Sequence, residues 1–247
     1  MNEFKNAVVV GAGTMGHGIA QILAAARIRT TIVDDNHDIA ATALVRIGNN
    51  LDAGMARGKV TMQTKAETMD NLCVATDLSV LAGADLLVEA VPEKLALKQD
   101  IFREADRLMG SHALLASNTS SLSIGAIAAV TARPNDVVGL HFFNPVHIMK
   151  LLEIVRGELS SDDTIARARR LGALLGKTCI VVNDAPGFAT SRLGICLGNE
   201  AMRMVEQGVA SAEDIDTAMR LGYGHPMGPL RLSDLVGLDV RLAICEH

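Results

Sequence analysis

The sequence predicts an α/β protein: a doubly wound, mainly parallel sheet, followed by a smaller all-α region. Three observations predict it. Short apolar runs alternate with amphipathic stretches through the first two-thirds of the chain, the pattern of successive βαβ units. Aromatic residues make up 2% and there is no Trp, so the core is built from Ala, Val, Leu, Ile and Met, which suits helices packed on a parallel sheet. From Pro186 onward almost every stretch reads as helix. At 247 residues the chain nears the limit of one hydrophobic core, so a large domain and a smaller one are expected.

The elements follow in order. Between Asn6 and Ala26 there is no Asp, Glu, Lys or Arg, which invites a membrane-span or signal-peptide reading. Gly11, Gly13, Gly16 and Gly18, with His17 and Gln21, instead make it a strand (Ala7–Val10), a tight turn and a helix (Gly13–Ala26). Further strands are Thr30–Val33, Leu72–Val74, Asp85–Val88, Ala113–Ala116 and Val137–Leu140, with helices over Asp38–Arg57 and Lys94–Met109. After Asn144-Pro145, Lys150–Val155 and Thr178–Val182 read as two more strands around a helix from Asp162 to Leu175. Pro186 suits a first helical turn with Asp184 as its cap. Gly222-Tyr223-Gly224, with Pro226 and Pro229, marks a loop. The expected domains are residues 1–184 and 185–247.

Composition excludes some partners. Net charge is -5 with no Lys/Arg-rich run, so nucleic acid and anionic membranes are poor partners and anionic ligands must be caught by local donors. Scarce aromatics offer few stacking platforms for unpaired bases. Cys73, Cys179, Cys196 and Cys245 lie far apart without CxxC spacing. Reduced thiols in a cytoplasmic protein, and no metal site, are the expectation.

The first motif is Gly11-Ala12-Gly13-Thr14-Met15-Gly16, between a strand and a helix. Alone it is weak, but this context gives it a mechanism. Gly11 permits the turn, Gly13 lets the backbone approach a pyrophosphate, and Gly16 lets the helix pack against the strand. Exposed N–H groups and the helix dipole then hold phosphates. The next strand ends in Asp34-Asp35, about 20 residues on, where a carboxylate binds adenosine ribose hydroxyls and repels a 2′-phosphate. A Rossmann-type site favouring NAD over NADP follows, with Asp34 the preferred residue and Asp35 the alternative. The competing reading of Asp34 is a cap for the helix near Asp38.

Three polar clusters end strands on the expected carboxyl edge: Val88–Glu93, Ser117–Ser121 and His141–Pro145. Taken singly, Asn118 or Ser120 reads as a turn former and His141 as a core histidine. Glu153 changes that, being a carboxylate inside an apolar strand and costly to bury alone. If the chain reverses at Asn144-Pro145, Glu153 returns beside His141 and orients its imidazole. Oxidising an alcohol by hydride transfer needs such a base, because the hydroxyl proton must leave as the hydride departs.

Together GAGTMGHGIA, VEAVPE, SNTSSLSI, GLHFFNPVHIMKLLEIV, DAPGF, NEA and GHPMGP resemble the L-3-hydroxyacyl-CoA dehydrogenase family, in particular its short-chain bacterial 3-hydroxybutyryl-CoA members. The resemblance implies NAD as cofactor, an acyl-CoA substrate, His141 as catalytic base and Glu153 as its partner. It implies that Ser120 contacts the substrate's 3-oxygen or thioester carbonyl and that Asn144 holds the nicotinamide or acyl region. Glu93 and Lys98 resemble positions lining the cofactor site, with Asn118 close by. Lys59 is a candidate for the CoA phosphates or a plain solvated lysine.

The chain departs from that pattern in places. Ser191 stands where the pattern has a substrate-positioning Asn, and Cys196 where Pro or Ala is usual. Similar proteins continue past Gly237–Val240, so the second domain is expected to be incomplete. A homodimer through that domain is expected where it is complete. Two alternatives stay open at this point: an idle NAD-binding member of the same fold, and a dehydrogenase for another β-hydroxy acid.

Overall fold

The chain, described here over residues 3–245 by a computed structural model, divides into two compact units. One comprises the residues up to Thr119 together with Ser123–Asp184, and the other Ser120–Leu122 with the residues from Ala185 onward.

The first unit runs β1 (Asn6–Val10), α1 (Thr14–Ala25), β2 (Arg29–Val33), α2 (His37–Ala56), α3 (Met62–Asp70), β3 (Leu72–Ala75), β4 (Leu86–Glu89), α4 (Leu95–Leu108), β5 (Leu114–Ser117), α5 (Ile124–Ala128), β6 (Val137–Phe142), β7 (Leu151–Arg156), α6 (Asp162–Leu174) and β8 (Thr178–Asn183). Its single sheet has the order β3-β2-β1-β4-β5-β6-β7-β8. Pairings from β3 through to β6 are parallel, β7 runs antiparallel to β6, and β8 is parallel to β7. The order reverses direction at β1, so β1 and β4 flank the switch point where doubly wound sheets bind ligands beyond their carboxyl ends.

Burial explains why the central strands read as unbroken apolar runs. Every residue of β4, β5 and β6 is buried, as expected where helices cover both faces. The edge strands differ: β3 is buried only at Leu72, and β8 is half-exposed throughout. Ile19 and Leu23 of α1 and Ile47 of α2 share one core with Val9, Ile32, Val88 and Leu140. Helix starts are marked as polar side chains demand. Asn36 accepts the N–H groups of Asp38 and Ile39 at α2, and Ser161 accepts that of Thr164 at α6.

Local differences from the sequence expectation include helices α3 and α5 and the start of the first helix after Asp184. Helix α3 was not anticipated: its nine residues bury only Thr68, so it has no apolar stripe for a periodicity reading to find. The segment after Asp184 does not begin a helix at Pro186. Gly187 and Phe188 take positive φ angles of 71° and 50°, and the helix starts at Thr190. The Asp184 carboxylate is used elsewhere, accepting from Ser123 Oγ at 2.8 Å and the Gly125 N–H at 2.9 Å. It therefore caps α5, a partner remote in sequence.

The second unit is helical: α7 (Thr190–Glu206), α8 (Ala212–Gly222), α9 (Pro229–Val236) and α10 (Leu238–Cys245). Ser211 caps α8. Asp216 on α8 accepts the N–H groups of Leu230 and Arg231 at 2.8 and 2.9 Å, satisfying the first turn of α9, which Pro229 opens. Among the described residues, no helix is long and apolar enough to cross a membrane.

Candidate active site

The glycine segment joins β1 to α1 by close backbone contact. Gly11 holds φ +100°, and a Cβ there would lie 2.6 Å from the Ala90 carbonyl oxygen. At Gly16 a Cβ would stand 1.7 Å from the Gly11 oxygen, so α1 can approach the strand only without one. Gly13 is the N-cap of α1, and a Cβ there would meet nothing within 4 Å. The open side of the turn is therefore the side a ligand would use. No acidic residue lies in the first turn of α1, leaving its positive dipole end unopposed.

That turn borders a cavity of about 980 Å³, near the upper end of the range for small-molecule sites. Gly11, Gly13, Thr14, Met15, Asp34 and Asp35 are among its lining residues. Asp34 Oδ2 accepts the Ala12 N–H at 2.9 Å and Oδ1 the Asn36 N–H at 3.2 Å. The cap of α2 is Asn36, not Asp34, so the carboxylate stays at the strand end, tied to the glycine turn. These donors and this acceptor suit the pyrophosphate and ribose hydroxyls of NAD. Sequence reasoning missed the far wall, which includes Ser79, Ile101 and Arg107. The loop after β3, which carries Ser79, has no periodic signal that could have marked it, while Ile101 and Arg107 lie on the expected helix α4.

Across the sheet, the antiparallel return sets His141 directly opposite Glu153. Both side chains are buried, and His141 Nδ1 lies 2.7 Å from Glu153 Oε2. An ionised carboxylate only accepts, so Nδ1 donates and Nε2 is the basic nitrogen. Phe143 packs on the ring with centroids 4.5 Å apart. The pair lies at the end of β6, on the same carboxyl edge of the sheet as the glycine turn.

Between these two places lies a buried polar network. Glu89, the last residue of β4, accepts from Lys98 Nζ at 2.8 Å, from the Val91 N–H at 2.8 Å and from Ser117 Oγ at 2.6 Å. Lys98 Nζ also reaches Glu93 Oε2 at 3.1 Å, and Thr119 Oγ1 donates to Glu93 Oε1. Asn118 is buried as well, and its Oδ1 accepts the Phe142 N–H at 2.9 Å, tying the end of β5 to the strand that carries His141. Glu93, Lys98 and Asn118 are not among the residues lining the 980 Å³ cavity. Lys98 is only 1% exposed. The signal for Glu89 was in the sequence, since it closes an apolar strand just as Glu153 interrupts one.

The remaining expected residues fall into different settings. Asn144 precedes a cis peptide bond to Pro145 and is exposed. Ser120 belongs to the short segment of the second unit that follows Thr119, and Ser191 is the second residue of α7. Lys59 is exposed after α2. A cationic cluster accompanies the β6–β7 loop. Partial burial holds His147 below the ordinary imidazole range, and the positive charges of His17, Lys177 and Arg57 push it the same way. Lys177, itself lowered by burial and then by Lys150, donates to the carbonyls of Val146 and Met149 at 2.5 and 2.6 Å.

Comparison with known proteins agrees with this geometry. Residues 6–185 match the family described as 3-hydroxyacyl-CoA dehydrogenase, NAD binding domain, and residues 187–247 match 3-hydroxyacyl-CoA dehydrogenase, C-terminal domain. A 3-hydroxybutyryl-CoA dehydrogenase of Clostridioides difficile is 42% identical over 236 residues, covering 96% of this chain and 84% of that protein. The human mitochondrial hydroxyacyl-coenzyme A dehydrogenase is 42% identical over 249 residues, covering 98% of this chain and 79% of its own length. The crystal structure of (S)-3-hydroxybutyryl-CoA dehydrogenase from Ralstonia eutropha superposes with a TM-score of 0.95 at 39% identity, over 98% of this chain and 86% of that one. Because both regions match and the likeness runs through nearly the whole sequence, the chain belongs to the 3-hydroxyacyl-CoA dehydrogenase family of NAD-dependent oxidoreductases.

Proposed function

We propose that this chain interconverts a short-chain L-3-hydroxyacyl-CoA, of 3-hydroxybutyryl-CoA type, and its 3-keto thioester, with His141 as general base. The observation that carries this reading is the buried 2.7 Å contact between His141 Nδ1 and Glu153 Oε2. It fixes the tautomer, so that Nε2 is the nitrogen that exchanges a proton with the substrate hydroxyl. In the oxidative direction Nε2 takes the O–H proton while the C3 hydride leaves. In the reverse direction the imidazolium returns that proton to the forming alkoxide. Glu153 stabilises the imidazolium, which lies next to a carboxylate in a site with little water. Bound at the glycine turn, NAD supplies the hydride acceptor and, when reduced, the donor.

The other assignments follow the family pattern residue by residue. Ser120 contacts the 3-oxygen or thioester carbonyl, Asn144 the nicotinamide or acyl region, and Ser191 the substrate in the place of a longer Asn. Glu93 and Asn118 border the cofactor, with Lys98 behind Glu93. The cations Arg57 and Lys177, whose charges reach His147, support a nearby seat for the CoA phosphates, which Lys59 joins. A homodimer through the second unit is supported by its large exposed apolar residues, among them Leu193 at 71%, Leu221 at 77% and Leu235 at 70%. A cytoplasmic setting is supported by four free cysteines.

The test is NADH oxidation, followed by absorbance, with acetoacetyl-CoA and with free acetoacetate. Turnover with the thioester and little with the free acid is the expected result. Turnover with neither, while NADH still binds, would overturn the reading.

A further inference from the structure

The mechanism above uses neither Glu89 nor the ammonium of Lys98, yet both are almost wholly buried, at 0% and 1% exposure. Taking two charges out of water costs several kcal/mol per ion before pairing offsets it. Their surroundings show where that cost leads. The carboxylate of Glu89 is fully engaged at the ends of two strands, by Ser117 of β5 and the Val91 N–H beyond β4. Lys98 has three N–H bonds to give. Its acceptors are Glu89 Oε1 at 2.8 Å, Glu93 Oε2 at 3.1 Å and the Val91 carbonyl at 3.4 Å. Of the two carboxylates, Glu93 is the one whose side chain reaches solvent, at 33% exposure.

Two carboxylates therefore share one ammonium, and the trio keeps one net negative charge. With Lys98 and Glu93 alone, the pair would be neutral and the Glu93 carboxylate would be drawn onto a buried cation. Glu89 takes up part of that ammonium. Glu93 is then held in place by Lys98 and Thr119, and the ammonium that holds it is itself held by Glu89.

We propose that Glu89 is a positioning residue for the cofactor site: by anchoring the buried ammonium of Lys98, it keeps that ammonium where it fixes Glu93 toward a hydroxyl of the bound dinucleotide. This rests on the reading of Glu93 as a residue bordering the cofactor.

The experiment titrates NADH by fluorescence and records thermal midpoints for the whole chain and three variants: E93Q, E89Q/K98M and the triple E89Q/E93Q/K98M. E89Q keeps an acceptor for the Val91 N–H, its NH2 group donating to Ser117 Oγ instead of accepting from it, and K98M keeps the volume of the lysine stem. Removing both charges together avoids leaving one buried alone. The expected result is a Kd raised about tenfold in E93Q, a similar rise in E89Q/K98M, and no further loss in the triple. The KM for acetoacetyl-CoA stays within about twofold of the parent, a split that a general loss of structure would not give. Parent-like affinity in E89Q/K98M with weakened binding in E93Q would overturn the role of Glu89. Parent-like affinity in E93Q would remove Glu93 from the cofactor site itself. If E89Q/K98M does not fold, E89D is titrated with the same readings, since it keeps the charge but withdraws it from Lys98.

Discussion

The β1–β2 end of the sheet and the β6–β7 end prepare for their ligands with different materials. At the first, the features are backbone: a positive φ at Gly11, a helix start at Gly13, and a helix packed so close to the turn that it excludes a Cβ at Gly16. At the second, the backbone is ordinary antiparallel pairing, and the working parts are the side chains that the register places opposite each other, His141 and Glu153. A site made of backbone fails when atoms are added. One made of buried side chains fails when a charge or a nitrogen is removed. Binding and chemistry should therefore separate cleanly under mutation.

The largest expected effect tests the side-chain end. His141→Gln should lower turnover by about 10²–10⁴ while the NADH Kd stays at the parent value. Near-normal turnover in that variant would take His141 out of the mechanism. Glu153→Gln should cost less, about 10², because a base remains but its orientation and stabilised cation are lost. A fall in NADH affinity in either variant would mean the two ends are not separable.

At the backbone end the pattern should invert. Gly11→Ala forces a Cβ onto the Ala90 carbonyl at an unfavourable φ, a strain of about 1–3 kcal/mol. NADH binding should weaken by about ten- to a hundredfold, and turnover at saturating NADH should hold. Equilibrium titration followed by saturation kinetics checks both. Asp34→Ala should weaken NADH by about tenfold and narrow the preference over NADPH, since the repulsion of a 2′-phosphate goes with the carboxylate. An unchanged ratio of the two affinities would assign that selection to Asp35 or another group.

The smallest effect lies outside both ends. Burial raises the Asp85 carboxyl, but the N–H groups of Asn6 and Lys5, together with His112, outweigh it and hold the group below the ordinary carboxylate range. A lowered folded value adds stability that is complete above the unfolded carboxylate range and vanishes as pH falls through the folded one. Asp85→Asn should thus lower the urea midpoint at neutral pH, by an amount equivalent to about 1 kcal/mol, and leave it unchanged in strong acid. An equal loss at both pH values would mean the charge contributes nothing.

What could be read in advance follows the same division. Buried central strands are apolar runs with sharp ends, so all eight strands lie within a residue or two of their expected places. The glycine turn was legible because a backbone site leaves its mark in residues that lack side chains. The His141–Glu153 pair was legible because a carboxylate within an apolar strand demands a partner and a reversal at Pro145 could supply one. What stayed hidden depends on partners distant in sequence. Asp184 caps a helix some sixty positions earlier, and Lys98 is turned inward by Glu89. Helix α3 was invisible for a different reason, having scarcely any buried face to reveal.

The position of β1 in the middle of the sheet has a consequence for how the chain comes into being. Its first partner, β2, arrives soon after it, but the other side of β1 is closed by β4, with Ala7 against Leu86 and Val10 against Glu89. The Gly11 turn rests on Ala90. A nascent chain that has not yet delivered that strand has one flank of its future phosphate cradle missing, and a large loop to close before gaining it. Affinity for the dinucleotide should therefore emerge abruptly and together with β4, well after the glycines themselves have left the ribosome.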